Sequence, residues 1–205
     1  MKAIVNVNQN WGIGKDGELL AYIPEDMRFF RNTTKGRTVI MGRKTLESFP
    51  GGKPLKGRLN IVLTRNPARL YQKAAQEWQA ASLLKPLVLG DSSDTQLLAF
   101  CDTPSLLQIQ EGILEDAYVI GGAQIYQELL PYCSECLVTI NDSQREADTF
   151  FPNLDADPEW QRTQETEEKE QDGVHYRFTV YRRISGGTSE RPERSDHDSA
   201  HMPIL

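Results

Sequence analysis

The chain is poor in the features that mark several protein classes. Three cysteines among 205 residues are an odd number and too few for a disulfide framework, which fits a reducing compartment. No window approaches the roughly 20 consecutive apolar residues that a membrane helix requires. The opening stretch from Met1 to Asn8 has an apolar core too short for a secretory leader. Basic side chains are outnumbered, 23 against 29 acidic, for a net charge of −6, which argues against a protein built to gather nucleic-acid phosphates. These absences point to a cytoplasmic globular protein with neither membrane nor nucleic-acid partner. A hydrophobic fraction of 39% and a charged fraction of 25% match that class.

The folded part is expected to run over residues 1–184. The stretch 185–205, SGGTSERPERSDHDSAHMPIL, has no aromatic residue and charges of both signs; it reads as a disordered tail, because it cannot bury enough apolar surface to offset its ordering entropy. Near-continuous apolar runs mark strands at Ala3–Val7, Thr38–Met41, Asn60–Thr64, Ala117–Ile120 and Leu137–Ile140. Runs of this kind suit strands buried on both faces. Helical stretches alternate with them at Pro24–Thr33, Thr45–Phe49, Pro67 to about Ala80, and Ala123–Leu130. Asn66-Pro67 reads as a cap followed by a first-turn proline, with Leu70, Ala74 and Trp78 at four-residue spacing. Asp172-Gly173 signals a hairpin turn, and beyond it Val174, Tyr176, Phe178 and Val180 alternate with polar residues. The pattern predicts an α/β fold: a central, mostly parallel twisted sheet with helices on both faces and a C-terminal antiparallel hairpin.

Three motifs carry chemistry. Trp11-Gly12-Ile13-Gly14-Lys15 leads through Leu20–Pro24 to Glu25 and Asp26 in a helix's first turn. The plain reading is that both acids complement the helix dipole. Asp26, however, lies beside Met27, Phe29 and Phe30, and an apolar wall disfavours an ionised carboxylate while leaving it a good acceptor for an amidine-like ring edge. Val39-Ile40-Met41-Gly42-Arg43-Lys44-Thr45 is a strand, a glycine and two cations at a helix start, which suits either a phosphate or a solvated turn. Val119-Ile120-Gly121-Gly122-Ala123-Gln124-Ile125-Tyr126 places adjacent glycines between strand and helix, where a ligand can approach the backbone. It lacks the GxGxxG spacing, which disfavours a standard dinucleotide fold.

Taken in order, these motifs, together with Gly57-Arg58, Asn60–Arg65 and ADTFFP at 147–152, resemble dihydrofolate reductases over most of residues 1–183. The resemblance implies NADPH-dependent reduction of dihydrofolate, sensitivity to antifolate inhibitors, and a monomer. It makes Asp26 the catalytic, pterin-holding acid. It places Ile4, Val5, Met27, Phe30, Phe49, Ile120 and Tyr126 around the substrate, with Thr139 supporting the acid. Arg58 becomes the arginine that grips the folate α-carboxylate, a bidentate task suited to a guanidinium. The NADPH side would comprise Asn6, Ile13, Gly14, Gly42, Arg43, Lys44, Thr45, Leu63, Thr64, Arg65, Gly121, Gly122, Ala123, Gln124, Ile125 and Tyr126. Thr64 and Arg65 would meet the 2′-phosphate, and Gly121-Gly122 would be joined by a cis peptide bond. Residues from about Gln9 to Ile23 would form a lid.

The chain also departs from the family pattern. Ala21 stands where many members carry a tryptophan. Residues 71–94 are longer than the family needs, which reads as a packed surface insertion. Thr103-Pro104 reads as a helix cap, Cys101 as a small buried residue, and His175 as structural or solvated. Cys133-Ser134-Glu135-Cys136 spells CxxC without a second ligand pair, so no metal site is expected. The acids from Glu165 to Asp172 read as a solvated strand face. Two rival readings are a riboflavin-pathway type of reductase on the same fold and a non-catalytic folate or nucleotide binder; the pair Asp26 and Arg58 favours the folate enzyme.

Overall fold

A computed structural model describes residues 1–77, 95–109 and 112–184. Its strands are β1 (Lys2–Asn8), β2 (Gly12–Lys15), β3 (Glu18–Leu19), β4 (Thr38–Gly42), β5 (Leu59–Leu63), β6 (Gln96–Phe100), β7 (Tyr118–Gly121), β8 (Glu135–Asn141), β9 (Thr149–Phe150), β10 (Trp160–Glu165), β11 (Lys169–Gln171) and β12 (Val174–Arg183). The helices are α1 (Pro24–Thr34), α2 (Arg43–Ser48), α3 (Pro67–Glu77), α4 (Thr103–Leu107) and α5 (Ala123–Leu129). Each apolar run expected to be a strand is one; three are longer by a residue or two at an end, while β5 and β7 are shifted by one residue, leaving Thr64 and Ala117 outside.

The main sheet runs β10-β12-β8-β1-β7-β4-β5-β6, with β11 paired to β12. From β8 through β6 every pairing is parallel, and β12 joins β8 antiparallel. Alternate strand residues feed two cores. Ile40 and Ile61 face Leu106 of α4 and Leu129 of α5 on one side. Val39, Met41 and Val62 face Leu46 of α2 and Leu70 and Ala74 of α3 on the other. Helices on both faces explain why these strands read as unbroken apolar runs.

β1 and β8 lie side by side in parallel, with Asn6 opposite Thr139 and Asn8 opposite Asn141. Registered residues on neighbouring strands project to the same face, so this places a polar stripe within an apolar sheet. A second, small sheet, β3-β2-β9, carries the expected lid. Asp148 ties it down: its Oδ2 accepts from the Asp16 N–H at 2.8 Å, and its own N–H donates to Gly14 O at 3.1 Å.

Several expectations need correction. The α4 cap is Asp102, whose Oδ1 accepts from the Ser105 N–H at 2.8 Å; Thr103 and Pro104 are already helical. Cys101 is exposed rather than buried. β10, whose sequence is polar, and β6, which follows the long insertion, are strands that the apolar runs do not predict. Asn66 does cap α3, its side chain accepting from the Arg69 N–H at 3.0 Å, but Trp78, most of the 71–94 insertion and the 185–205 tail lie outside the described residues. Glu165 is paired with Arg162 and Arg177, while Glu167, Glu168 and Glu170 are exposed as expected. Among the described residues no helix is long and apolar enough to cross a membrane, and no group of three or more His, Cys, Asp or Glu side chains could hold a metal ion.

Asn60 fixes the loop before β5. Fully buried, it accepts the Leu55 N–H at 2.9 Å, while its Nδ2 faces the carbonyls of Leu55, Arg58 and Gln96 at 3.0, 3.1 and 3.2 Å. Asn60→Ala is expected to cost about 1–3 kcal/mol of unfolding free energy, because it strands buried backbone groups. The urea midpoint reads this directly, and an unchanged midpoint would mean that these bonds contribute nothing net.

Candidate active site

One large cleft of about 2090 Å³ opens along the C-terminal edge of the parallel strands. A pocket for a single drug-sized ligand holds roughly 300–1,000 Å³, so this cleft has room for two ligands side by side. All the residues expected at the site line it except Arg58 and Thr139. The lining also includes residues that the sequence did not single out, among them Asp16–Leu19 and Tyr22 of the lid, Arg69 and Lys73 of α3, and Arg145.

Asp26 sits at the cleft's apolar end. Pro24 opens α1, and the helix turns Asp26 inward; only 9% of its surface stays exposed. Its neighbour Glu25 points the other way. There Lys169 and the Tyr176 hydroxyl bind the Glu25 carboxylate at 2.5 and 2.6 Å, and the Glu25 N–H donates to Gln171 Oε1 at 3.2 Å. The first turn of α1 is thus pinned to the β11–β12 hairpin, which is more than a dipole effect.

Thr139 Oγ1 donates to Asp26 Oδ1 at 2.6 Å, and Asn6 Nδ2 donates to Asp26 Oδ2 at 2.9 Å. Among the described residues no lysine or arginine forms an ion pair with this carboxylate. Burial pushes its pKa above the usual carboxylate range, and the two hydrogen bonds offset only part of that. Met27, Phe30, Phe49 and Ile120 provide the apolar surroundings. Tyr126 closes the floor, its hydroxyl donating to Ile4 O at 2.8 Å; burial raises that phenol far above its ordinary range.

The other end of the cleft is cationic. Arg43, Lys44, Arg65 and Arg69 line it, at the openings of α2 and α3. Glycine is required where the two ends meet. Gly121 has φ +110°, and a Cβ there would stand 3.0 Å from the Tyr126 ring. A Cβ on Gly42 would come equally close to Ile125. The Gly121-Gly122 peptide bond is cis.

Some expected residues stand elsewhere. Arg58 is buried and does not line the cleft. Its Nε donates to Thr34 Oγ1 at 2.9 Å, and its two terminal nitrogens donate to the Lys56 and Arg31 carbonyls at 2.7 and 3.1 Å. Asn6, expected beside the nicotinamide, does line the cleft, and its amide donates to Asp26. Ala21 is buried against Ile23 and Tyr176. Trp11 leaves the lid altogether and packs in the core against Phe151 and Tyr181, with ring centroids 6.2 and 5.9 Å away. Cys133 and Cys136 are buried thiols, and burial pushes Cys133 up to about 12, unsuited to redox or metal work.

A profile of the dihydrofolate reductase family matches residues 1–183. The chain belongs to that family. It is similar to the dihydrofolate reductase of Bacillus subtilis (strain 168), 32% identical over 180 residues, covering 87% of this chain and 91% of that one. The dihydrofolate reductase of Neisseria meningitidis serogroup B is 36% identical over 176 residues, covering 85% and 93%. A bifunctional dihydrofolate reductase-thymidylate synthase of Glycine max is 35% identical over 200 residues, but the chain spans only 34% of its length. Among solved structures, dihydrofolate reductase from Enterococcus faecalis complexed with NADP(H) and RAB-propyl superposes with a TM-score of 0.66 at 26% identity, covering 89% of this chain and 95% of that one.

In this dihydrofolate reductase fold, the charge on Asp26 carries a stability cost. A carboxyl whose folded pKa exceeds its unfolded one contributes its stability below the unfolded pKa and loses it as pH rises through the folded pKa. Asp26→Asn is therefore expected to melt above the wild type around pH 7, with the gap narrowing toward about pH 4. Thermal unfolding at both pH values measures this, and a lower midpoint for the variant at neutral pH would contradict it.

Proposed function

We propose that the protein reduces 7,8-dihydrofolate to tetrahydrofolate with NADPH. The observation that carries this reading is a buried carboxylate, with no cation paired to it among the described residues, at the apolar end of a cleft whose far end is cationic. The residues suit the cofactor. Arg43, Lys44 and Arg65 offer charge for its phosphates, and Gly42 and Gly121 leave the backbone clear where any side chain would collide. Arg65, with Thr64 beside it, favours a 2′-phosphate and hence NADPH over NADH.

NADPH when bound supplies the hydride for pterin C6. Asp26 accepts from the ring's N3 and 2-amino edge, orienting the pterin and polarising it. The proton for N5 arrives through water, since the acid holds the opposite edge of the ring. The lid, held by Asp148, excludes bulk solvent. Arg58, although buried and outside the cleft's lining, keeps two N–H groups after its bonds to Thr34, Lys56 and Arg31, and these are the donors assigned to the glutamate carboxylate. Antifolates bearing a 2,4-diaminopyrimidine present the same donor edge to Asp26. The unit acts as a monomer.

NADPH absorbance should fall when dihydrofolate is added to the wild type. Asp26→Asn should keep much of the binding and lose turnover by a factor on the order of 100 or more. Absence of decay in the wild type with NADPH still bound would redirect the fold to another substrate. Arg65→Ser should raise KM for NADPH about tenfold or more while leaving the KM for NADH nearly unchanged, as expected for loss of one charge-assisted phosphate contact; a parallel rise for both cofactors would remove Arg65 from the 2′-phosphate.

A further inference from the structure

Asn6 is an unusual residue for its place. It is half-buried in the middle of β1, with Val5 and Val7 on either side. A polar amide inside a parallel sheet is costly unless its hydrogen bonds are made, and the recorded bonds of this one go to two partners. Its Nδ2 donates to Asp26 Oδ2, and its Oδ1 accepts from Asn141 Nδ2 at 2.7 Å. Asn141 is itself held: its Nδ2 also donates to Val7 O at 2.9 Å, and its Oδ1 accepts from the Ser143 N–H at 2.9 Å. Ser143 Oγ in turn donates to Leu20 O of the lid at 3.2 Å. Backbone groups fix the Asn141 amide, Asn141 fixes the Asn6 amide, and neither can flip without opposing donor to donor.

We propose that Asn6 is a positioning residue for Asp26, and that Asn141 acts on the acid only through Asn6. An amide nitrogen has no lone pair to offer, so Asn6 cannot accept a proton carried on Oδ2. Thr139, whose hydroxyl can turn from donor to acceptor, can accommodate one on Oδ1. Asn6 therefore favours the ionised acid and confines any proton to the Thr139 side. The titratable groups that face Asp26 from neighbouring elements are the phenols of Tyr126 on α5 and Tyr176 on β12. Both are held neutral by burial; Tyr176 is pushed up to about 12 and also donates to Glu25. Within α1, Glu25 is engaged by Lys169. None of these supplies the directional contact that Asn6 makes.

This inference rests on reading Asp26 as the ring-holding acid, so its test reads the acid itself. The NADPH-loaded protein, labelled with 13C at aspartate carboxyls, is titrated by NMR, and the Asp26 resonance is the one missing in Asp26→Asn. Asn6→Ala should move the Asp26 midpoint upward by about one pH unit, the size expected for losing one hydrogen bond to a charged group. Asn141→Ala should move it upward by less, and should add nothing in the Asn6→Ala background. Asn6→Val, which suits a strand, gives the same reading if Asn6→Ala folds poorly. A midpoint within about 0.2 unit of wild type in folded Asn6→Ala and Asn6→Val would overturn the role of Asn6. An equal shift from Asn141→Ala in both backgrounds would overturn the relay. If Asp26→Asn leaves dihydrofolate turnover and diaminopyrimidine binding intact, the function assigned to the acid fails, while the midpoint shifts still decide the part played by Asn6.

Discussion

Asp26 must keep a charge available in a place that disfavours charge. It has no cation to lean on among the described residues, only a threonine hydroxyl and an asparagine amide. Neutral donors stabilise a buried carboxylate less than an ion pair would, and they leave its remaining lone pairs free for a cationic or amidine-like ring. An arginine in their place would satisfy the acid and block it. Much of the surrounding structure follows from keeping the compromise. α1 is pinned at Glu25 so that Asp26 cannot swing away, Tyr126 is anchored to β1 beneath it, and the polar stripe of β1 and β8 is buried at a cost to support it.

The cleft gains its two characters from the two ways in which strands end in this sheet. At the β1 end the cleft is lined by Ile4, Val5 and Asn6 together with Asp26, Met27 and Phe30 of α1, so the acid has mostly apolar neighbours. At β4 and β5 the chain turns directly into α2 and toward α3, and cations gather at those turns. Glycines 42 and 121 lie between, where any Cβ would press on Ile125 or Tyr126. One surface can thus hold a reducing cofactor against a flat ring with little of the chain in between. The stability spent on an uncompensated acid is of the kind often found at active sites.

What the sequence revealed tracks what is local. Strands β1, β4, β5, β7 and β8 were legible because burial on both faces leaves an apolar run, and Asp26 stood out because Met27, Phe29 and Phe30 adjoin it. The Asp172-Gly173 turn named its own hairpin. β10 was missed because an edge strand with exposed faces carries polar residues. Cys101 was misplaced because residue type alone says little about one position. The Asn6 contact was out of reach for a different reason. It depends on which residue of a strand more than 130 positions away stands beside it, and no local pattern encodes that register. A trace was present in Asn6-Val7-Asn8 and Thr139-Ile140-Asn141, two polar residues at period two in each of two apolar strands. Arg58 was found as a residue type at a family position, while its engagement with Thr34, Lys56 and Arg31 emerges only from the folded chain.

Asn6 and Thr139 occupy the same rung of the β1–β8 ladder. The gap between neighbouring strands is set by backbone hydrogen bonding at about 4.8 Å and does not respond to side chains. The two donors thus rise from neighbouring positions on a rigid frame, one to each oxygen of Asp26. The stem of Asp26 brings one oxygen to each of them. The acid's grip thus depends on which residues the β1–β8 register sets side by side, a property that point substitution elsewhere in the pocket does not adjust.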